Sequence, residues 1–377
     1  MEAKITVFGA GLVGSTIAID LKNSFKHITV IDENKARLAE LEEKHSIRTV
    51  CASIFEADKI SQEISNSDII VGALPGSLGY SLLERAIELK KNIVDISFCP
   101  EDYFELDKKA KKNGVTAIVD MGVAPGMCNA ILGYHSQQMK VRSYKCIVGG
   151  LPVERVWPFE YKATWSPRDV IEEYVRPARF IVNNQLVEKE ALSDIEQVNF
   201  PGIGTLEEWN SDGLRSLIKT MPHIPDMVEK TLRYPGTMQY IKMLRESGFF
   251  SETEVEINGQ SIKPIDLTSQ LLFPQWELQK NEEEFTAMQV FIEGLKNGED
   301  TSVCYTLLDK TDMNTGTTSM ARTTGYTCTG AVNLLLNGLY TQKGIIAPEM
   351  VGADPKCFEY ILNHLQLRNI NYQVKVT

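Results

Sequence analysis

"VFGAGLVG", Val7 to Gly14, decides the fold. With the residues before it, "KITVFGA" reads as a buried strand that breaks into a glycine turn and then a helix, "GLVGSTIAIDLKN". Gly9 allows the tight turn, Gly11 lets the backbone approach a pyrophosphate, and Gly14 permits close packing of helix on strand. The helix start offers unpaired N–H groups and a partial positive charge to phosphate oxygens. A second strand, "HITVID", ends in Asp32, 18 positions beyond Gly14. A carboxylate there accepts hydrogen bonds from the adenine-ribose hydroxyls and repels a 2′-phosphate. Glu33 adds to that repulsion and no arginine adjoins it in the sequence, so NAD is the cofactor predicted. The residues assigned to it here are Gly9, Ala10, Gly11, Leu12, Val13, Gly14, Asp32 and Glu33.

Outward from this unit the alternation continues. "DIIVGALP", "NIVDISF" and "VTAIVDMG" repeat the strand pattern, with "NKARLAELEEKH", "SLGYSLLERAIELK" and "EDYFELDKKAKKNG" as helices between strands. Strand and helix alternating at this spacing predict α/β architecture, a doubly wound parallel sheet of the Rossmann type. Past about Ala124 the pattern changes. "YKCIVGGLP" and "RFIVNNQLVEKE" read as strands, the second turning at Asn183-Asn184, and "AMQVFIEGLKNGEDTSVCYTLLD" reads as a long hairpin turning at Asn297-Gly298. "PGTMQYIKMLRESG" reads as a covering helix, so this part is predicted to be an α+β domain. "GYTCTGAVNLLLNGLYTQKG" returns to helix, with Ala331, Leu334, Leu335 and Leu339 on one side. The last segment, from Ile345, carries a short helix and a final strand, "YQVKV", with no sheet assigned to it.

The 377 residues suffice for two domains with substantial cores. A net charge of −11 argues against affinity for a nucleic-acid backbone. No apolar run reaches the length of a membrane span, and Glu2 with the early glycine turn does not make a signal peptide. Seven scattered cysteines, none in a CxxC pair, fit a reducing cytoplasm and predict no metal site.

The ordered series "VFGAGLVG", "GALPGS", "NIVDISF", "DMGVAPGM", "GGLP", "ATWSP", "TLRYPG" and "ARTTGYTCTGA" resembles the saccharopine dehydrogenase-like family, and most closely its lysine-oxidising branch, from about Lys4 to Gly344. The resemblance implies a dinucleotide domain of residues 1–123 completed by 322–377. It also implies an inserted domain, 124–321, that binds substrate and mediates homodimerisation. It lays Ala73, Leu74, Pro75 and Gly76 along the cofactor and brings Ser97 and Val123 towards the nicotinamide. Where saccharopine-forming members carry aspartates, a histidine and a tyrosine, this chain has Ala124, Cys128, Asn129 and Phe98. Fewer polar partners for a large substrate favour lysine, oxidised at its ε-amine to 2-aminoadipate 6-semialdehyde, which closes to piperideine-6-carboxylate. The alternatives are a reductive condensation of the saccharopine or carboxynorspermidine type, and a non-catalytic NAD-binding redox sensor.

Such chemistry needs a proton acceptor and a clamp for the amino-acid end. Asp95, at the end of "NIVD", is the catalytic candidate, with loop capping as its other reading. His135 titrates in the useful range but sits inside a helix pattern. The carboxylate clamp falls to Arg322, just before the returning helix, or Arg233; Thr323, Thr324, Lys162 and Tyr161 complete the substrate candidates, and Trp165 reads as packing.

Overall fold

The structure is a computed structural model that describes residues 2–279 and 282–377. It divides into two units, the first Met1–Gln138 with Met320–Ile370 and the second Met139–Ser319 with Asn371–Thr377.

In the first unit, seven parallel strands run in the order Gly344–Ile346, Thr116–Ile118, Asn92–Asp95, Ile69–Gly72, Lys4–Phe8, His27–Asp32, Arg48–Cys51. The sequence shows why: Ile5, Val7, Val30, Ile70, Val71, Ile93 and Val94 are all buried, as strands covered on both faces require. The chain order reverses between Lys4–Phe8 and Ile69–Gly72, so the open edge of the sheet at the strand C-termini there is a topological switch point. This is the doubly wound sheet predicted from the alternation. Two strands escaped the sequence reading. Arg48–Cys51 is an edge strand with a half-exposed pattern, and Gly344–Ile346 is only three residues long.

The returning helix, Ser319–Leu336, buries Cys328, Ala331, Val332 and Leu334, while Leu339 lies beyond its end and is half exposed. Its glycines allow close approach: a methyl on Gly325 would stand 3.3 Å from Ile17, and one on Gly330 would stand 3.4 Å from His364. The helix Met127–Ser136 also belongs to this unit, because Gly133 packs directly on the Glu349 backbone. The boundary therefore falls at Gln138, not at Val123.

In the second unit, strands lie in the order Glu196–Phe200, Gly204–Asn210, Asp226–Arg233, Lys140–Pro152, Glu284–Lys296, Glu299–Lys310, Tyr372–Val376, with Ala178–Val182 and Gln185–Lys189 attached to Asp226–Arg233. Neighbours are antiparallel except Lys140–Pro152 beside Asp226–Arg233. Both asparagine turns form: Asn183 and Asn184 take φ of 50° and 62°, Asn297 and Gly298 take 54° and 90°, the left-handed values a two-residue hairpin needs. One face packs Ile147, Leu206, Trp209, Leu232 and Phe285 beneath Tyr174, Ile241 and Trp276 from the helices Pro167–Val175, Thr237–Glu246 and Pro264–Trp276. The final strand pairs with Glu299–Lys310, so the tail is shared: residues to Ile370 serve the first unit and Tyr372–Val376 serves the second. No helix among the described residues is long and apolar enough to cross a membrane.

Candidate functional site: the glycine turn and its neighbours

The glycine turn is built as its residue types demand. Gly9 has φ +107°, and a methyl there would run into the Ala73 carbonyl. A methyl on Gly14 would collide with the Gly9 carbonyl, so the helix Leu12–Lys22 rests against the turn itself. Gly11 differs. It has φ −66°, and only the Arg37 guanidinium, 3.8 Å away, lies near the position its Cβ would take. The helix has no acidic side chain in its first turn, which leaves its positive end for an anion. Two glycines closed by packing and a third facing open space form a cradle that fits a dinucleotide pyrophosphate.

Asp32 stands beside that cradle. Its Oδ2 accepts the Ala10 N–H at 2.6 Å and its Oδ1 accepts the Asn34 N–H at 2.7 Å. Each oxygen keeps lone-pair capacity for a ribose hydroxyl. Glu33 is exposed next to it. Asn34 caps the helix Lys35–His45 by accepting the Ala36 and Arg37 N–H groups, and this starts the helix at once. Its first turn carries Arg37 back over the glycine turn, where Nη1 donates to the Ala10 carbonyl at 3.4 Å. An arginine is thus adjacent in space although none was adjacent in sequence.

Ala73 closes on the turn, its N–H donating to the Phe8 carbonyl at 2.8 Å, and Leu74, Pro75 and Gly76 lead into the helix Gly76–Glu88. Asp95 and Ser97 form a second buried group. Asp95 accepts the Ser97 N–H at 2.9 Å and the Ser97 hydroxyl at 3.0 Å, while Gly79 and Gly72 leave room for Ser97 and Asp95 respectively. Asp95 therefore makes the capping contacts of its second reading. Burial, followed by the nearby Asp95 charge, pushes the Cys328 thiol well up, which keeps it a neutral packing residue. Val123 is buried, and Thr324 lies against Gly122, 3.1 Å from the position of a methyl there.

Arg322, Thr323 and Thr324 are not before the returning helix but inside its first turns. Arg322 Nη2 donates to the Arg368 carbonyl at 3.1 Å, and Thr323 Oγ1 donates to the Met320 carbonyl at 3.4 Å. Behind them lies a buried network that sequence reasoning missed. Asp20 accepts from Arg368 Nε at 2.7 Å and from Thr329 Oγ1 at 2.6 Å, and Thr329 Oγ1 sits 2.9 Å from His364 Nε2. Thr329 gives its one proton to Asp20, so His364 must donate through Nε2–H. Burial, aided by the Arg368 charge, lowers the His364 pKa to about 4, which keeps the ring neutral. His135 is buried near the end of its own helix.

In the second unit Arg233 and Tyr161 come together. The guanidinium lies 4.4 Å from the Tyr161 ring centre and 5.9 Å from that of Tyr174, with Glu173 Oε2 at 3.5 Å. Burial pushes the Glu173 carboxyl up to about 7, against the pull of Arg233. Lys162 does not join them: its ammonium binds the Glu277 carbonyl and Glu282 at 3.1 and 3.4 Å. Trp165 packs against the core. Among the described residues no group of three or more His, Cys, Asp or Glu is placed to hold a metal ion.

Two family models match this chain: the saccharopine dehydrogenase NADP binding domain over residues 5–118, and the saccharopine dehydrogenase C-terminal domain over residues 122–370. The mitochondrial alpha-aminoadipic semialdehyde synthase of Bos taurus is 27% identical over 263 residues, 66% of this chain and 28% of that protein. The NADP(+), L-glutamate-forming saccharopine dehydrogenase of Saccharomyces cerevisiae is 24% identical over 70% of this chain and 62% of its own length. The carboxyaminopropylagmatine dehydrogenase of Synechocystis is 21% identical over 94% of both. The aligned part is thus less than two thirds of the bovine and yeast relatives. In fold, the chain is similar to the apo saccharopine dehydrogenase (L-Glu forming) of Saccharomyces cerevisiae, with a TM-score of 0.79 at 18% identity over the whole of both chains.

Proposed function

The chain belongs to the saccharopine dehydrogenase family, and on that premise we propose that it is an NAD-dependent oxidoreductase acting at an amine-bearing carbon, with the ε-amine of L-lysine as substrate. The observation that carries the reading is the glycine turn: Gly9 and Gly14 are locked by backbone packing, Gly11 is open, and Asp32 is held beside it. When bound, the nicotinamide supplies the hydride acceptor. The turn and the start of its helix would hold the pyrophosphate, Asp32 would accept the ribose hydroxyls, and Ala73 to Gly76, Ser97 and Val123 would line the remainder.

Asp95 acts through Ser97, whose hydroxyl it fixes at 3.0 Å, to draw a proton from the substrate ammonium and free the nitrogen lone pair. The α-carboxylate calls for a guanidinium. Arg322 and Arg233 are the two candidates for it, the first bonded to the Arg368 carbonyl and the second to the Leu232 carbonyl. Loss of hydride from the ε-carbon to the bound cofactor would leave the imine, which water hydrolyses to the semialdehyde with release of ammonia.

Full-length similarity to carboxyaminopropylagmatine dehydrogenase, together with the NADP binding description of the matched model, supports a second reading: reductive joining of an amine to an aldehyde or keto acid. One assay separates them. The protein is incubated with NAD and each amino acid, NADH is followed by absorbance, and the lysine product is identified as its cyclic imine. Turnover with lysine is the expected result. Turnover of saccharopine or another secondary amine, without lysine turnover, overturns the first reading in favour of the second.

A further inference from the structure

Arg37 does something unusual for an exposed helix arginine. Among the described residues it forms no ion pair: its guanidinium makes one hydrogen bond, to the Ala10 carbonyl at 3.4 Å. Asp32, bonded to the N–H of the same Ala10 at 2.6 Å, does not neutralise it. A carboxylate and a guanidinium are therefore both fastened to one residue of the glycine turn, one on its N–H and one on its C=O, and not to each other. The second oxygen of Asp32 is occupied by the Asn34 N–H, 2.7 Å away, which fixes the carboxylate in place. Arg37 is fixed from the backbone side by the Asn34 cap, and it overlooks the open side of Gly11 at 3.8 Å.

We propose that Arg37 is a ready-made 2′-phosphate anchor, and that Asp32 alone keeps the site selective for the unphosphorylated dinucleotide. The inference rests on the reading of this turn as a dinucleotide site. A ribose diol has protons to donate, which suits a carboxylate acceptor. A 2′-phosphate has only acceptor oxygens and negative charge, which suits a guanidinium fork and is repelled by a carboxylate. Both answers are present here at one turn. Selectivity is then the balance between two standing charges, with no need for a cation to be built. Glu33 is exposed, so solvent and salt screen its charge and it contributes little to the exclusion. Removing the charge of Asp32 leaves Arg37 in possession of the site.

The test is calorimetric binding of NAD and NADP to the full chain as wild type, Asp32→Asn, Asp32→Ser, and each of these combined with Arg37→Ala. Thermal unfolding is recorded for each protein. Wild type is expected to bind NAD at least tenfold more tightly than NADP. Either change at Asp32 is expected to raise NADP affinity at least tenfold. Adding Arg37→Ala is expected to abolish that gain, returning the ratio of NADP to NAD affinity to within about threefold of wild type. A gain that survives loss of Arg37, no gain in a folded Asp32 variant, or a wild type that already prefers NADP overturns the inference while leaving the dinucleotide reading intact. A folded wild type that binds neither nucleotide removes both.

Discussion

Gly11 and Gly14 sit three residues apart, and the structure gives them opposite reasons to be glycine. Gly14→Ala would place a methyl 2.9 Å from the Gly9 carbonyl carbon, closer still to its oxygen, and 3.3 Å from the Ala73 methyl. Carbon contacts are comfortable at about 3.5–4.0 Å, so the helix must retreat by roughly half an ångström or more. Both obstructing groups are backbone or Cβ atoms and cannot swing away. The cost is that of overpacking, about 1–3 kcal/mol, or a melting point lower by about 2–4 °C for each kcal/mol. The retreat also withdraws the helix N–H groups from the phosphates, so dinucleotide affinity is expected to fall as well. Gly11→Ala is the contrast. At φ −66° alanine is unstrained, and the methyl meets only the movable tip of Arg37 at 3.8 Å. Its melting point is expected to stay within about 2 °C of wild type, since no packing is disturbed. Dinucleotide affinity should nevertheless fall at least tenfold, because the methyl stands where the pyrophosphate approaches. Differential scanning calorimetry and titration calorimetry on the two variants decide it. A destabilised Gly11→Ala protein, or one that binds the dinucleotide as wild type does, refutes the assignment of the open side of the turn.

Three further outcomes follow from the buried groups. Asp20→Ala leaves Arg368 and Thr329 without their 2.7 and 2.6 Å acceptor, and a broken buried pair of this kind costs about 3–5 kcal/mol in urea unfolding. His364, with its pKa lowered to about 4, contributes stability that is whole above about pH 6.5 and lost as pH falls towards 4, because the unfolded chain then binds the proton first. The loss reaches about 3 kcal/mol at most, and His364→Gln should flatten that part of the urea-midpoint profile; a wild-type profile flat from pH 7 to 4.5 would contradict the burial argument. Asp95→Asn should depress turnover at least a hundredfold while dinucleotide affinity changes less than about threefold, and equal loss of both would make Asp95 a scaffold residue.

What the sequence made legible was local. Strands buried on both faces announce themselves as apolar runs, and the Asn-Asn and Asn-Gly turns announce their left-handed backbone, so the parallel sheet and both hairpins could be read directly. Arg48–Cys51 could not, because an edge strand has no reason to be apolar throughout. The start of the returning helix was placed too late because threonines and an arginine look like a loop; Thr327 instead donates to the carbonyl four residues back, and the helix continues through them. Arg37 lies five residues beyond Asp32, and a scan for adjacent charge misses it; one helical turn folds it back. The Asp20, Thr329, His364 and Arg368 network joins residues more than three hundred positions apart, and no local pattern carries such a pairing.

The chain passes from the first unit to the second at Gln138, returns at Met320, and leaves again after Ile370. During synthesis the parallel sheet therefore waits for its outermost strand, Gly344–Ile346, until the whole of Met139–Ser319 has been made, with Thr116–Ile118 as a provisional rim. Cutting at Gln138 yields a fragment that lacks this strand and the helices after it, and removing the last seven residues uncovers the edge of Glu299–Lys310. A single cut therefore leaves each unit short of one segment, and a whole first unit is obtained only by joining Gln138 to Met320 through a designed linker.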